Sequence, residues 1–264
     1  LKEEVNDIKV LDQSYRIPGG PIHELSQKII NKVQNRFIKE YKPREEIGLL
    51  KRYSDITQVD MSKGNWLVLS SANYFLDDAK DLCEIQGWYY QYKGINSISL
   101  KLLLALNNWE HWRKGELLNH LEIKNIYQYL GSNVLVGFQK GKTLHSDAKY
   151  TLKECQEQHG LTASDVWFKS FEGLDPMTET YIRNMRANGE MINKNPRIIM
   201  STIHGAKGGE ADNVLLLQDL TGAALETFSH DPDELHRLFY TGATRAKREL
   251  HLLDPKNFDR AYIL

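Results

Sequence analysis

Arg197-Ile198-Ile199-Met200-Ser201-Thr202-Ile203-His204-Gly205-Ala206-Lys207-Gly208-Gly209-Glu210-Ala211-Asp212-Asn213-Val214-Leu215-Leu216-Leu217 decides the fold. It reads as an apolar strand, a polar glycine-rich loop and a second apolar strand. Ile198 to Met200 and Val214 to Leu217 are short uninterrupted apolar runs, the pattern of strands buried on both faces of a parallel sheet. Gly205, Gly208 and Gly209 let the intervening backbone turn tightly and lie close to a ligand. Ser201, Thr202, His204, Lys207 and Glu210 occupy the same loop. Ligands of α/β sheets bind where such loops leave the carboxyl ends of strands. An ordinary connection with solvated polar residues is the plainer reading, but it accounts less well for so many functional groups between two buried strands.

Working outward, strand and helix patterns alternate. Ile8 to Leu11 predicts a short strand, and the Pro18-Gly19-Gly20-Pro21 cluster breaks the chain and primes a helix. Ile22, Leu25, Ile29, Val33 and Phe37 recur at helical spacing beyond it. Gly48 to Tyr53 predicts an edge strand and Trp66 to Ser70 a central one. A helix from Asn73 to Gln86 is terminated by Gly87, and Trp88 to Tyr92 is a further strand. This order implies parallel pairing through crossover helices. Ile98 to Trp112 predicts a helix. From Gly115 to Asn195 the character changes, with helical patterns at Leu117 to Leu130, Tyr150 to Gln158 and Met177 to Ala187, and a short strand at Val134 to Phe138. Residues 1–114 and 196–264 are therefore expected to form one parallel-sheet domain, with 115–195 a mostly helical insertion. Towards the C-terminus Asp231-Pro232-Asp233-Glu234 is a helix start, with Asp231 as N-cap and Pro232 at the first position. Glu249 to Leu253 supplies a last strand.

At 264 residues, with 41% hydrophobic and 26% charged residues, the composition is that of an ordinary globular protein. A formal net charge of -1 argues against a generally basic, nucleic-acid-coating protein, yet leaves room for a local basic strip. Cys83 and Cys155 lie far apart in helical patterns, which predicts buried thiols in a reducing compartment. No apolar run approaches the ~20 residues needed to span a bilayer, and no signal-peptide pattern opens the chain, so no membrane association and a cytoplasmic location are expected. Because it begins with Leu1, the chain is read as a fragment of something longer. Gly137-Phe138-Gln139-Lys140-Gly141-Lys142-Thr143 imitates a phosphate-binding loop, but it lacks one of the residues needed between the first glycine and Gly-Lys-Thr. It is read as a hairpin turn.

The central loop resembles motif V of the superfamily 1 DNA helicases of the UvrD, Rep and PcrA type, a Thr-x-His-x-x-Lys-Gly-x-Glu pattern matched at Thr202, His204, Lys207, Gly208 and Glu210. Gly209 stands where that family has a large apolar residue, and Ala211 where it has an aromatic. Leu11 to Arg16 resembles motif IV, Leu-x-Gln-Asn-Tyr-Arg, with Ser14 in place of Asn. Arg237, Leu238, Tyr240, Gly242, Thr244, Arg245 and Ala246 match motif VI, with Thr241 for the family's Val. The three matches cover the two ends of the chain and leave its middle uncovered.

The resemblance implies a RecA-like parallel sheet with helices on both faces, the second of two RecA-like domains that close over ATP. Its N-terminal partner domain would carry the phosphate loop and most of the hold on Mg²⁺. By the same analogy Arg16 and Arg245 reach the γ-phosphate as catalytic residues. Tyr15 stacks on adenine, Glu210 accepts from the ribose, and Gln13, Gly208 and Gly242 complete the nucleotide-binding set. Thr202, His204 and Lys207 contact single-stranded DNA. This implies an ATP-dependent DNA helicase of which the present chain, on its own, is inactive. A non-catalytic RecA-like module that binds nucleic acid or protein is the alternative.

Overall fold

The computed structural model describes residues 12–38, 42–131, 134, 142–190, 194–206 and 208–264. The strand expected at Ile8 to Leu11, most of that at Val134 to Phe138, most of the phosphate-loop look-alike and Lys207 lie outside the described residues. The chain divides into two compact units: Leu1–Cys83, Tyr90–Lys93 and Arg197–Leu264 in one, Glu84–Tyr89 and Gly94–Pro196 in the other.

The first unit holds six strands of a seven-stranded sheet, in the order Leu49–Tyr53, Ala246–Leu253, Ala211–Leu217, Trp66–Ser70, Ile198–Thr202 and Tyr90–Tyr92. All five pairings between them are parallel. The two strands that flank the glycine-rich loop are thus not neighbours, because Trp66–Ser70 lies between them. Leu67, Leu69, Val214, Leu216, Leu250 and Leu252 alternate onto one face of the sheet. There they meet Ile22, Leu25 and Ile29 of the Pro21–Ile30 helix and Leu235 and Phe239 of the Pro232–Ala243 helix. Val68 and Leu215, which alternate to the opposite face, are buried as well. Double burial is why these strands are uninterrupted apolar runs, and each such side chain contributes about 1.5–3 kcal/mol on burial. This is a RecA-like α/β fold.

Three local expectations change. Gln13–Gly19 and Lys42–Ile47 form a separate two-stranded parallel pair. The second of these is a charged run without apolar alternation, so no periodicity announces it. The first helix stops at Ile30 rather than continuing to Phe37. The backbone N–H groups of Gln34 and Asn35 are instead drawn to the Asp233 carboxylate, at 2.8 and 2.9 Å. An additional helix, Gly222–His230, precedes the one that Asp231 starts.

The second unit is mostly helical, with one short antiparallel pair, Leu118–Asn119 with Lys149–Tyr150. Its helices at His120–Tyr127 and Leu152–Gln158 begin with capping boxes from Asn119 and Thr151. The boundary falls earlier than Gly115, since the Leu100–Arg113 helix clusters with this unit. Its two buried tryptophans explain why. Trp109 Nε1 donates to the Asp165 carbonyl at 3.0 Å, Trp112 Nε1 donates to that of Tyr150 at 2.9 Å, and the Trp109 ring meets Phe171 edge-on. Cys83 and Cys155 are free and buried. No helix among the described residues is long and apolar enough to cross a membrane.

Candidate functional site

The glycine-rich loop runs the length of the sheet. Thr202 pairs with Ser70, the last residue of its strand, whereas Asn213 pairs with Trp66, the first residue of the same strand. Residues 203–210 therefore cross from the carboxyl end of one strand to the amino end of the next. This is a shorter path than the dozen or more residues such crossovers usually take. Tight turns hold it: Ala206 N donates to Thr202 O at 3.0 Å and Gly209 N to Ala206 O at 2.9 Å. Gly208, at φ 86°, has the positive φ that favours glycine, with nothing near the position of a Cβ. Thr202 Oγ1 accepts from Gly205 N at 3.1 Å.

Glu210 consequently enters a cleft at the amino ends of the strands, not at their carboxyl ends as the loop itself suggests. Ala211 N donates to Arg245 O at 3.2 Å, which sets Glu210 beside the turn that ends the Pro232–Ala243 helix. The cleft has a volume of about 740 Å³ and is lined by residues from four separate segments, among them Tyr15, Arg16, Arg44, Glu210, Thr244 and Lys247. The Glu210 carboxylate is engaged on both oxygens, by Lys247 Nζ at 2.9 Å and by Arg16 Nε at 3.5 Å. The hydrogen bond from Lys247 is the main cause that holds its carboxyl below the usual range. Arg245 is 7% exposed, and its Nε is buried with no hydrogen-bond partner. Burial, then the neighbouring Arg16 charge, lowers its pKa from the ordinary arginine value, and Glu210 acts against that shift.

Cations thus outnumber acids here: Lys247, Arg16 and Arg245 act on Glu210, and Arg44 lines the same cleft with its Nε 3.7 Å from Glu46. Such a surplus in a partly desolvated cleft favours a polyanion, and a buried guanidinium with an orphaned N–H is a costly group until an acceptor meets it. Tyr15 is 85% exposed at the cleft, with its ring free to stack. Together they offer a polyanion several cations and an aromatic ring to stack on. Gln13 lines the cleft too, but its amide donates to the Pro43 carbonyl at 2.9 Å and so fastens the small parallel pair. Gly242 does not line it. A Cβ there would stand 3.0 Å from Leu216 Cδ1 and 3.5 Å from Ile203 Cδ1, so this glycine lets the helix close onto the sheet. Like Lys247, Arg44 is a charged lining residue that no motif announced. It reaches the cleft through the pairing of Lys42–Ile47 with Gln13–Gly19, and its guanidinium donates to the Lys247 carbonyl.

His204 lies elsewhere, exposed in a shallower depression of about 370 Å³ together with Ile203, Asp231, Glu234, Arg237 and Thr241. Carboxylates there offset the cations, so it offers no surplus of positive charge. Among the described residues no group of three or more His, Cys, Asp or Glu is placed to hold a metal ion.

Residues 198–253, which span the loop, the helix and the turn at Arg245, match the UvrD-like helicase C-terminal domain family. Over that segment the chain is similar to UvrD-like helicase C-terminal domains. The match covers Glu210, Arg245 and Lys247 but neither Arg16 nor Arg44, which the fold alone adds to this helicase-like cleft. Among curated proteins nothing matches the chain.

Proposed function

We propose that this chain is the C-terminal motor half of an ATP-dependent DNA helicase acting in the cytoplasm, and that its charged cleft is the half of an ATP site contributed by the second RecA-like domain. One observation carries this reading: Arg16, Glu210 and Arg245, far apart in sequence, converge on one cleft. ATP, with Mg²⁺ held mainly by the N-terminal RecA-like domain of the full-length protein, supplies the phosphoryl group that passes to water. Arg16 and Arg245 hold permanent positive charge where the γ-phosphate would lie, and a fixed guanidinium fork suits charge that spreads over phosphoryl oxygens. Glu210 offers a carboxylate to the ribose, and Tyr15 a ring to the base. At the opposite end of the loop, Thr202 and His204 contact the backbone of single-stranded DNA, which requires no sequence preference. A module that only bound protein would have no use for an arginine whose buried Nε has no acceptor.

The test is an ATP titration of the chain, with Arg16→Ala and Glu210→Gln as variants. Binding is expected to be weak, because half of the phosphate machinery lies in the partner domain, and each variant weakens it further. Unchanged ATP affinity in both variants, together with normal ATP turnover by Arg16→Ala in the full-length protein, would sink the reading.

A further inference from the structure

Lys247 has no role among the residues assigned above, yet it completes the ring of charge around Glu210. Its Nζ lies 2.9 Å from Glu210 Oε1, while Arg16 Nε lies 3.5 Å from Oε2. A carboxylate engaged once on each oxygen still has lone pairs to offer, but it accepts a hydroxyl's hydrogen bond more strongly once one cation moves away. Of the two, Lys247 is the better placed to move. It is a point charge on a flexible four-carbon stem, and a partly exposed ion pair of this kind contributes little stability that would have to be given up. Its backbone, by contrast, is fixed, because the Arg44 guanidinium donates to the Lys247 carbonyl. The stem therefore swings from an anchored base inside a cleft where cations are in excess.

We propose that Lys247 is an additional nucleotide-binding residue, which leaves Glu210 for a phosphate oxygen when the nucleotide enters and so releases Glu210 to accept from the ribose. Arg44 is its positioning residue. The inference deepens the nucleotide reading and rests on it. It also distinguishes two uses of the same lysine: neutralising an acid, and binding a phosphate.

The 264-residue chain is titrated with ATP, inorganic tripolyphosphate and adenosine, each to millimolar concentration, with binding followed by amide chemical shifts that also report folding. Lys247→Gln is measured in the wild-type background and in Glu210→Gln. Loss of one charge-assisted phosphate contact corresponds to about a tenfold weakening. That weakening is expected for ATP and tripolyphosphate in both backgrounds, with adenosine binding not weakened and Lys247→Arg retaining most of the affinity. If Lys247→Gln weakens ATP in the wild type but has no effect in Glu210→Gln, Lys247 only neutralises Glu210 and the proposal is overturned. Binding unchanged in both backgrounds overturns it equally. If the wild-type chain responds to neither ATP nor tripolyphosphate, the nucleotide reading itself falls, and the inference with it.

Discussion

The two ends of the Pro232–Ala243 helix face different surroundings. At its carboxyl end, Arg245 is buried with an unpartnered Nε, among Arg16, Lys247 and a single nearby carboxylate. At its amino end the polar groups are largely satisfied by the protein itself. Asp231 accepts from Asp233 N, the Asp233 carboxylate accepts from Gln34 and Asn35, and Arg237 donates to the Asn35 carbonyl at 2.5 Å. One end is unsatisfied until an anion arrives; the other is finished. Twelve residues of helix at about 1.5 Å per residue separate them, and the loop 203–210 runs between the same two places. A rigid strut joins a charged site to a quiet surface, so changes at the two ends have different consequences.

The largest effect is expected at Arg245. In the full-length protein Arg245→Ala lowers kcat for ATP hydrolysis by about 10³-fold or more, the scale of arginine fingers, with much less change in ATP affinity. Arg245→Lys rescues poorly, since an ammonium lacks the two-pronged geometry. Steady-state ATPase at saturating single-stranded DNA, beside a strand-binding titration, measures it. Near-normal turnover with loss of the strand would exchange the roles of the two ends.

Next comes Gly242, which separates a packing glycine from a ligand-binding one. Gly242→Val forces methyl groups against Leu216 and Ile203 and destabilises by about 1–3 kcal/mol in urea unfolding. Gly242→Ala, with a single contact to relax and a gain in helix propensity, leaves stability and ATP affinity nearly unchanged. Loss of ATP binding in a fully folded Gly242→Ala would make the glycine part of the site.

A smaller effect is expected at Asp233, which lowers Tm by a few degrees on replacement by Ala because two backbone amides lose their acceptor. Those amides, Asn35 first, hold its carboxyl below the ordinary range. A lowered folded-state pKa means stability that is present above the unfolded value near 3.9 and lost as the pH falls through the folded one. The difference in Tm between wild type and Asp233→Ala therefore shrinks below about pH 4. A difference that persisted unchanged at pH 2 would mean that the contacts of Asp233 are not ionic.

The smallest change is at the exposed His204. His204→Ala weakens single-stranded DNA binding by about two- to tenfold, one hydrogen bond's worth, and leaves stability within about 0.5 kcal/mol. Because Asp231 and Glu234 stand beside it, the affinity attributable to this end depends only weakly on salt. A steep salt dependence removed by this substitution would show a surplus of positive charge at this end, against the carboxylates that line it.

Residue types and their order along the chain determine much of this. The apolar run at Val214 announces a doubly buried strand because both faces of a parallel strand exclude water, whereas the run at Ile198 buries Ile198 and Met200 but leaves Ile199 44% exposed. Asp231-Pro232 starts its helix as written, since capping is a matter of neighbouring residues. The helicase-like segments around Glu210, Arg16 and Arg245 are legible for the same reason: each is continuous. Tertiary structure alone decides what depends on partners distant in sequence. Arg44 enters the cleft because a charged strand without apolar alternation pairs in parallel with Gln13–Gly19, and Lys247 takes its role from a carboxylate at the end of the loop before Ala211. The first helix does not reach Phe37 because, after the turn at Asn31 to Val33, Asp233, far along the chain, accepts from the amides of Gln34 and Asn35. Gly242 is a packing residue only because Leu216 and Ile203 come to rest against it. Local pattern sets which element forms; long-range pairing and the filling of space set which side chains meet.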